Sequence, residues 1–244
     1  MFEMVESLSK FQSALINFEE EGSTDYNFFV DLAVSSLTLS NIRSLTIPGS
    51  KLNESGSSSN YRLNDKHTRI LTKAVVAAGI HLEILSLCNH NITDKGFESI
   101  CSDIVTVQRI SRQHLHLNLE GNEISGNFIS ELLLQSEECP LISLNLSHNP
   151  LTTSAGMTLA DALRTNRTLQ NVELNNCGFE LNVIIAFGTT LRQNNTLKTL
   201  NLGRPLTDKS TTQEEGVDHI SRLLASPNTR KIFSLSLDEY FAVV

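Results

Sequence analysis

The stretch LISLNLSHNPLTTSAGMTLADALRTNRT, residues 141–168, changes its periodicity part-way along. Leu144 and Leu146 fall on one side of an extended chain, with polar residues between them on the other side, as in a half-buried strand. Further on, Leu159 and Leu163 are four residues apart, which is the spacing of one helix face. The stretch therefore predicts a strand, a turn and a helix. A unit of about 28 residues cannot bury either apolar face alone, so it needs copies of itself.

Copies of this unit follow one another along the chain. The full pattern has apolar residues at positions one, four, six and eleven and Asn, Cys or His at position nine. The copies begin near residues 42, 82, 114, 141, 169, 197 and 232, and those at 42, 197 and 232 are identified from positions one, four and six only. In one copy His114 stands at position one, where a leucine is expected, and we expect this histidine at the edge of the core. At position nine, residues such as Asn149 and Cys177 are expected to bond the backbone of a turn that has no strand partner.

A period of about 28 residues that includes a full helix resembles the ribonuclease-inhibitor class of leucine-rich repeats. The resemblance implies an α/β horseshoe solenoid, in which an inner parallel β-sheet of about seven strands is backed by outer helices. We expect the array to occupy residues 41–244 and an N-terminal helical cap to occupy residues 1–40. Insertions are expected near 49–60 and 203–216. The last copy stops soon after its strand begins, which predicts an open edge available for self-association.

Composition restricts the function. The net charge of −8 and the pI near 5.4 argue against direct binding to nucleic acid or an anionic membrane, which clustered Lys and Arg would favour. The chain begins without a secretory signal pattern and has no run of about 20 apolar residues, so we expect an intracellular protein of the cytoplasm or nucleus, not inserted in a membrane. The four cysteines are expected to be reduced, and the sequons at Asn53, Asn91, Asn145, Asn166 and Asn194 to stay bare.

Seven histidines invite a search for metal or catalytic chemistry. His114 and His116 are two residues apart and share a strand face, so with Glu120 they form a candidate metal site. A histidine at the edge of the core is the simpler reading of His114. The sequence has no glycine-rich phosphate loop, paired CxxC or HExxH, and no ordered Ser, His and Asp set. We therefore predict no cofactor, no metal and no enzymatic activity.

The concave side of the predicted sheet is polar and rich in amides. Its candidate partner-binding residues are Ser86, His116, Asn118, Glu120, Ser143, Asn145, Asn171, Glu173, Thr199 and Asn201. Glu120, Glu173 and Asp238 give this side an acidic bias that suits a basic segment of a protein partner. A solvated wall without a partner is an open alternative, and so is binding through the two insertions. The whole chain could also be a structural component of a large cytoskeletal or ciliary assembly.

Several runs go beyond the general repeat: LTIPGSKL, YRLNDKHTRILTKAV, VIIAFGTTLRQNNTLKTLNLGRPL and QEEGVDHISRLL. Together they are similar to the family of leucine-rich repeat-containing protein 34, over roughly residues 44–226. The resemblance implies a non-catalytic intracellular adaptor, linked to the nucleolus and to ribosome biogenesis through nucleolar partner proteins. Members of that family continue with further repeats, whereas this sequence stops at SLSLDEYFAVV. The resemblance assigns no site residues.

Overall fold

The computed structural model describes residues 43–49, 62–77, 79–129 and 139–203, and the backbone of 234–236. The predicted helical cap over residues 1–40 lies outside the described residues. So do nearly all of the two insertions and the C-terminal residues, including Asp238.

Seven short strands form one parallel sheet in chain order. They are β1 (Ser44–Thr46), β2 (Ile84–Ser86), β3 (Leu115–Asn118), β4 (Leu141–Asn145), β5 (Asn171–Glu173), β6 (Thr199–Asn201) and β7 (Ser234–Ser236). Position four of each repeat is paired with position four of the next, so that Leu144 lies beside Val172 and Val172 beside Leu200. These three side chains are fully buried. The alternation read from the sequence therefore sets which face of the sheet enters the core.

Helices return the chain between strands. They are α1 (Asp65–Ala77), α2 (Asp94–Ser99), α3 (Thr106–Ile110), α4 (Thr153–Thr165) and α5 (Leu181–Leu191), and a π-helical turn (Ile100–Val105) joins α2 to α3. The buried helix residues and the strand leucines belong to one hydrophobic cluster. The helices therefore cover one face of the sheet, and the fold is an α/β repeat with a parallel sheet, as predicted.

The start of β3 corrects one expectation. His114 is exposed and precedes the strand, whereas Leu115 is fully buried. Leu115 pairs with Leu141, and the register then shifts before His116, which pairs with Ser143. Leu115 therefore fills the core place of position one. The prediction that His114 lies at the edge of the core was wrong, because a shift of one residue in the ladder brings the neighbouring leucine inward.

Gly156 allows α4 to approach the next repeat closely. A Cβ atom at this position would lie 2.6 Å from Cγ1 of Val183 and 2.8 Å from Cε1 of Phe179. Phe179 is fully buried, and its ring centroid is 6.2 Å from that of Phe187, so these neighbours have little room to move.

We expect Gly156→Ala to lower the free energy of unfolding by about 1–2 kcal/mol. Overpacking outweighs the gain of up to about 1 kcal/mol that Ala brings to a helix interior. Urea titration of the variant measures the loss. Ser154→Ala, at an exposed position of the same helix, is the control and should change stability little. A stabilised Gly156→Ala protein would contradict the close packing.

Candidate functional site

The face of the sheet opposite the helices carries two rows of side chains, and we call it the open face. Row three is formed by position three of the repeats from β1 to β6: Ser44, Ile84, His116, Ser143, Asn171 and Thr199. Row five is formed by position five: Thr46, Ser86, Asn118, Asn145, Glu173 and Asn201. Nine of the ten predicted partner-binding residues lie in these rows, and Glu120 lies two residues beyond Asn118.

Most of these side chains are partly exposed, and His116 is exposed. Ser86 corrects the prediction of an accessible polar row, because it is only 8% exposed and its Oγ lies 3.1 Å from Sγ of Cys88. Ile84, in row three beside His116, is 41% exposed and is the apolar exception. The continuous accessible polar part of the described open face therefore runs from β3 to β6, and buried Ser86 of β2 separates it from exposed Thr46 of β1.

Backbone hydrogen bonds fix the orientation of the row-five amides. Oδ1 of Asn118 accepts from the Glu120 N–H (3.1 Å), Oδ1 of Asn145 from Ser147 (2.9 Å) and Oδ1 of Asn201 from Gly203 (3.2 Å). These are turns closed by a side chain at the end of each strand. Because the backbone occupies the amide oxygens, the amino groups of Asn118 and Asn201 are the ends left to contact a ligand. The amino group of Asn145 contacts Glu120 instead.

The charge on this surface is negative. Nδ2 of Asn145 donates to Oε2 of Glu120 over 3.2 Å, which holds that carboxylate beside row five. The Glu173 carboxylate makes no hydrogen bond or ion pair with any of the described residues. Rows three and five contain no Lys or Arg on β1 to β6. The two carboxylates therefore have no cation in these rows to balance them.

The position-nine side chains hold the turns behind this surface. Nδ2 of Asn149 donates to the carbonyls of Leu146 (3.0 Å) and, one repeat earlier, Leu119 (2.9 Å), while Oδ1 accepts from the Ile124 N–H (3.0 Å). Asn122 makes the same type of contacts one repeat earlier. The predicted role of position nine in bonding the turn backbone is confirmed. Each of these side chains joins its own repeat to the preceding one.

His90 occupies position nine in the second repeat. Its Nε2 lies 2.9 Å from the Ile47 carbonyl, and its Nδ1 accepts from the Leu63 N–H over 3.0 Å. This pairing requires the neutral ring with its proton on Nε2. Burial lowers the pKa of His90 from 6.5 to about 4; Arg62 and His67 lower it further, and the Ile47 hydrogen bond opposes them. His90 is therefore a neutral structural group above that pH.

Cysteine takes position nine at Cys177, whose Sγ lies 3.3 Å from the Leu146 carbonyl. Burial raises the pKa of this thiol to about 12. Burial also raises the pKa of Cys139. Cys88, Cys101, Cys139 and Cys177 are the four cysteines of the sequence, and none of them forms a disulfide.

A second set of asparagines stabilises the helix-to-strand turns, and the sequence analysis missed this role. Nδ2 of Asn194 donates to the carbonyls of Leu163 and Asn166, while its Oδ1 accepts from the N–H groups of Thr196 and Leu197. Oδ1 of Asn166 accepts the corresponding bonds one repeat earlier. Both side chains are buried. The repeated Asn-x-Thr-Leu, NRTL and NNTL, is the signal for this role. A general preference of turns for Asn, Ser and Thr explains these sequons without assigning the bonds that each Asn makes.

The candidate metal set is not assembled. His114 precedes β3, His116 lies in row three, and Glu120 accepts from Asn145 in the following turn. Among the residues that the structure describes, no three His, Cys, Asp or Glu side chains come together as a group able to hold a metal ion.

Comparison with known proteins identifies the repeat. Residues 80–101 and 139–160 match the family described as Leucine Rich repeat. The two segments run from the approach to β2 into the π-helical turn and from the approach to β4 into α4. No curated protein matches the chain.

No helix in the described parts is long and apolar enough to cross a membrane. Leucine-rich repeats are typically non-catalytic modules that mediate protein–protein interaction. The chain therefore contains two segments that match leucine-rich repeats, within an α/β repeat fold that has one parallel sheet.

Proposed function

We propose that this protein is a non-catalytic interaction scaffold that binds protein partners through the open face between β3 and β6. The observation that carries the proposal is the set of partly exposed hydrogen-bonding groups there. The amino groups of Asn118 and Asn201 and the carboxylate of Glu173 have no partner among the described residues. Polar groups that a rigid sheet holds in one orientation lose little conformational entropy when a partner binds.

The proposal includes a curved array with the open face on its inner side. Neighbouring strands lie about 4.8 Å apart, whereas packed helices lie about 8–10 Å apart. An array with strands on one face and helices on the other must therefore bend away from its helices. A curved inner surface can contact a partner over several repeats at once.

The cellular setting belongs to the same proposal. The sequence resemblance to the family of leucine-rich repeat-containing protein 34 supports an intracellular adaptor with nucleolar partners and a link to ribosome biogenesis. The general use of leucine-rich repeats in protein–protein interaction supports the adaptor role. The resemblance alone supports the nucleolus.

A pair of tyrosine substitutions tests the scaffold. Ser143 is partly exposed in the middle of row three, and Ser154 is exposed on α4, on the helix side. We expect cross-linking and mass spectrometry in cells to show partners that are lost with Ser143→Tyr and kept with Ser154→Tyr. Nucleolar proteins among them would support the cellular setting.

The same experiment can reject the proposal. If both variants retain every partner of the unmodified chain, the open face is not the binding surface. If partners are lost only with Ser154→Tyr and the chain sediments with a large particle, a structural role in an assembly takes its place. Equal unfolding midpoints in urea for the two variants are required, so that a lost partner reports on the surface and not on the fold.

A further inference from the structure

We propose that the open face recognises an extended basic segment of its protein partner, with a Lys or Arg side chain on Glu173 and hydrogen-bond acceptors on Asn118 and Asn201. This inference rests on the proposed function and names the chemistry of the partner. It follows from the order of donors and acceptors along row five and from the charge of the surface.

The donors come first. Asn118 and Asn201 each direct the amide oxygen to the backbone N–H two residues later. Rotating either amide to exchange its oxygen and nitrogen would break that bond and place an amino group against an N–H donor. The row therefore offers amino groups at β3 and β6. Backbone carbonyls of a peptide are their natural acceptors.

Glu173 reverses the pattern. Glu173 lies on β5, and its neighbours in row five are Asn145 of β4 and Asn201 of β6. Its carboxylate only accepts hydrogen bonds, and no Lys or Arg stands in rows three and five on β1 to β6. A partner that covers this row must supply a donor there, and a cationic one is favoured most. Glu120 adds a second negative charge, which Asn145 of the neighbouring strand β4 holds beside row five.

The dimensions suit an extended chain. Asn118 and Asn201 are three strand spacings apart, or about 14 Å, a distance that an extended peptide covers with about four residues. The backbone positions of Glu120 and Glu173 are about 12 Å apart on the same geometry. Because Asn145 holds the Glu120 carboxylate beside β4, the strand next to Glu173, basic side chains on one face of the peptide can reach both carboxylates. Nucleic acid is disfavoured because its phosphates would face these carboxylates.

Peptide selection against the full chain tests the inference. The probe is a displayed library of random peptides of about ten residues, with binding then measured for individual synthetic peptides. We expect Lys and Arg to be enriched among peptides that Ser143→Tyr no longer binds. Glu173→Gln should weaken these peptides about tenfold, since a hydrogen bond to a charged group contributes roughly that much. Glu173→Lys should select acidic peptides instead.

Two variants serve as comparisons. Glu98 is exposed on α2, so Glu98→Gln makes the same change of charge on the helix side and should leave affinity unchanged. Asn201→Asp retains an acceptor for the Gly203 N–H but removes the amino group. We expect it to weaken the basic peptides, although it adds a negative charge. If Asn201→Asp strengthens them, charge alone governs binding and the role assigned to the donors is wrong.

The failure of this inference can be told apart from failure of the scaffold. Peptides that bind the open face, are blocked by Ser143→Tyr and are insensitive to Glu173→Gln would overturn the basic-segment inference and leave the scaffold intact. A selection in which no peptide depends on Ser143 would count against both.

Discussion

Replacing Asn149 with Ala is expected to lower the free energy of unfolding by about 4 kcal/mol. The side chain is 1% exposed. Its loss removes three hydrogen bonds and leaves the N–H of Ile124 without a partner among the described residues. The carbonyls of Leu119 and Leu146 keep Nδ2 of Asn122 and Sγ of Cys177. An unsatisfied buried N–H costs about 1–3 kcal/mol and each of the two lost bonds to a carbonyl about 1 kcal/mol, which together give the stated size. The lost bonds lie at one turn, but they also join Asn149 to the preceding repeat through Leu119 and Ile124.

Urea or guanidinium titration followed by far-UV circular dichroism measures this change. Asn195→Ala is the control, because Asn195 is exposed, and its substitution should alter stability by less than about 0.5 kcal/mol. If Asn149→Ala were as mild as Asn195→Ala, position nine would not hold the turn in solution.

Acidification is expected to destabilise the protein by up to about 3 kcal/mol through His90 alone. Its pKa is about 4 in the folded chain and 6.5 ordinarily. Between these values the unfolded chain binds more protons than the folded one, so stability falls as pH falls. The contribution of the neutral ring is fully present above pH 6.5 and is lost as the pH approaches 4. A difference of one unit between the folded and unfolded pKa values corresponds to about 1.4 kcal/mol, which gives the stated size.

The measurement is the unfolding free energy at several pH values between 4 and 7.5. His90→Gln cannot titrate, so the slope of stability against pH should become shallower even if the variant is less stable overall. Part of the slope should persist, because burial, followed by the charge of Lys66, also lowers the pKa of His67. Asn195→Ala, which replaces an exposed side chain that cannot titrate, should leave the slope unchanged. An unaltered slope in His90→Gln would show that the ring does not titrate in this window.

The parts of the fold governed by side-chain alternation could be predicted from the sequence. Apolar and polar residues alternate along these strands, so each strand has a single apolar face. Leu144 and Leu200 lie on that face and enter the core. The same periodicity assigned Asn145 and Asn171 to the other face, where the ladder places them. Asn149 was predictable for a related reason, since a turn without strand partners needs a side chain to bond it.

Other features depend on distances that the sequence does not contain. The shift that brings Leu115 inward in place of His114 depends on how two neighbouring ladders join. The burial of Ser86 depends on the packing around Cys88. Which end of the Asn201 amide faces outward depends on a single N–H group two residues further on. Sequence periodicity indicates which face of a strand a residue occupies, but it does not indicate which atoms the side chain contacts there.

The pairing register of the strands has a consequence for how this chain tolerates change. Successive position-four residues Leu45, Leu85, Leu117, Leu144, Val172, Leu200 and Leu235 are neighbours in the sheet. Their separations along the chain, read from those residue numbers, are 40, 32, 27, 28, 28 and 35. Rows three and five nevertheless form an unbroken two-dimensional grid. Variation in length is confined to the connections between strands, so insertions and deletions there can accumulate while every point of the grid keeps its neighbours. The grid can therefore change its chemistry one point at a time, by substitution alone.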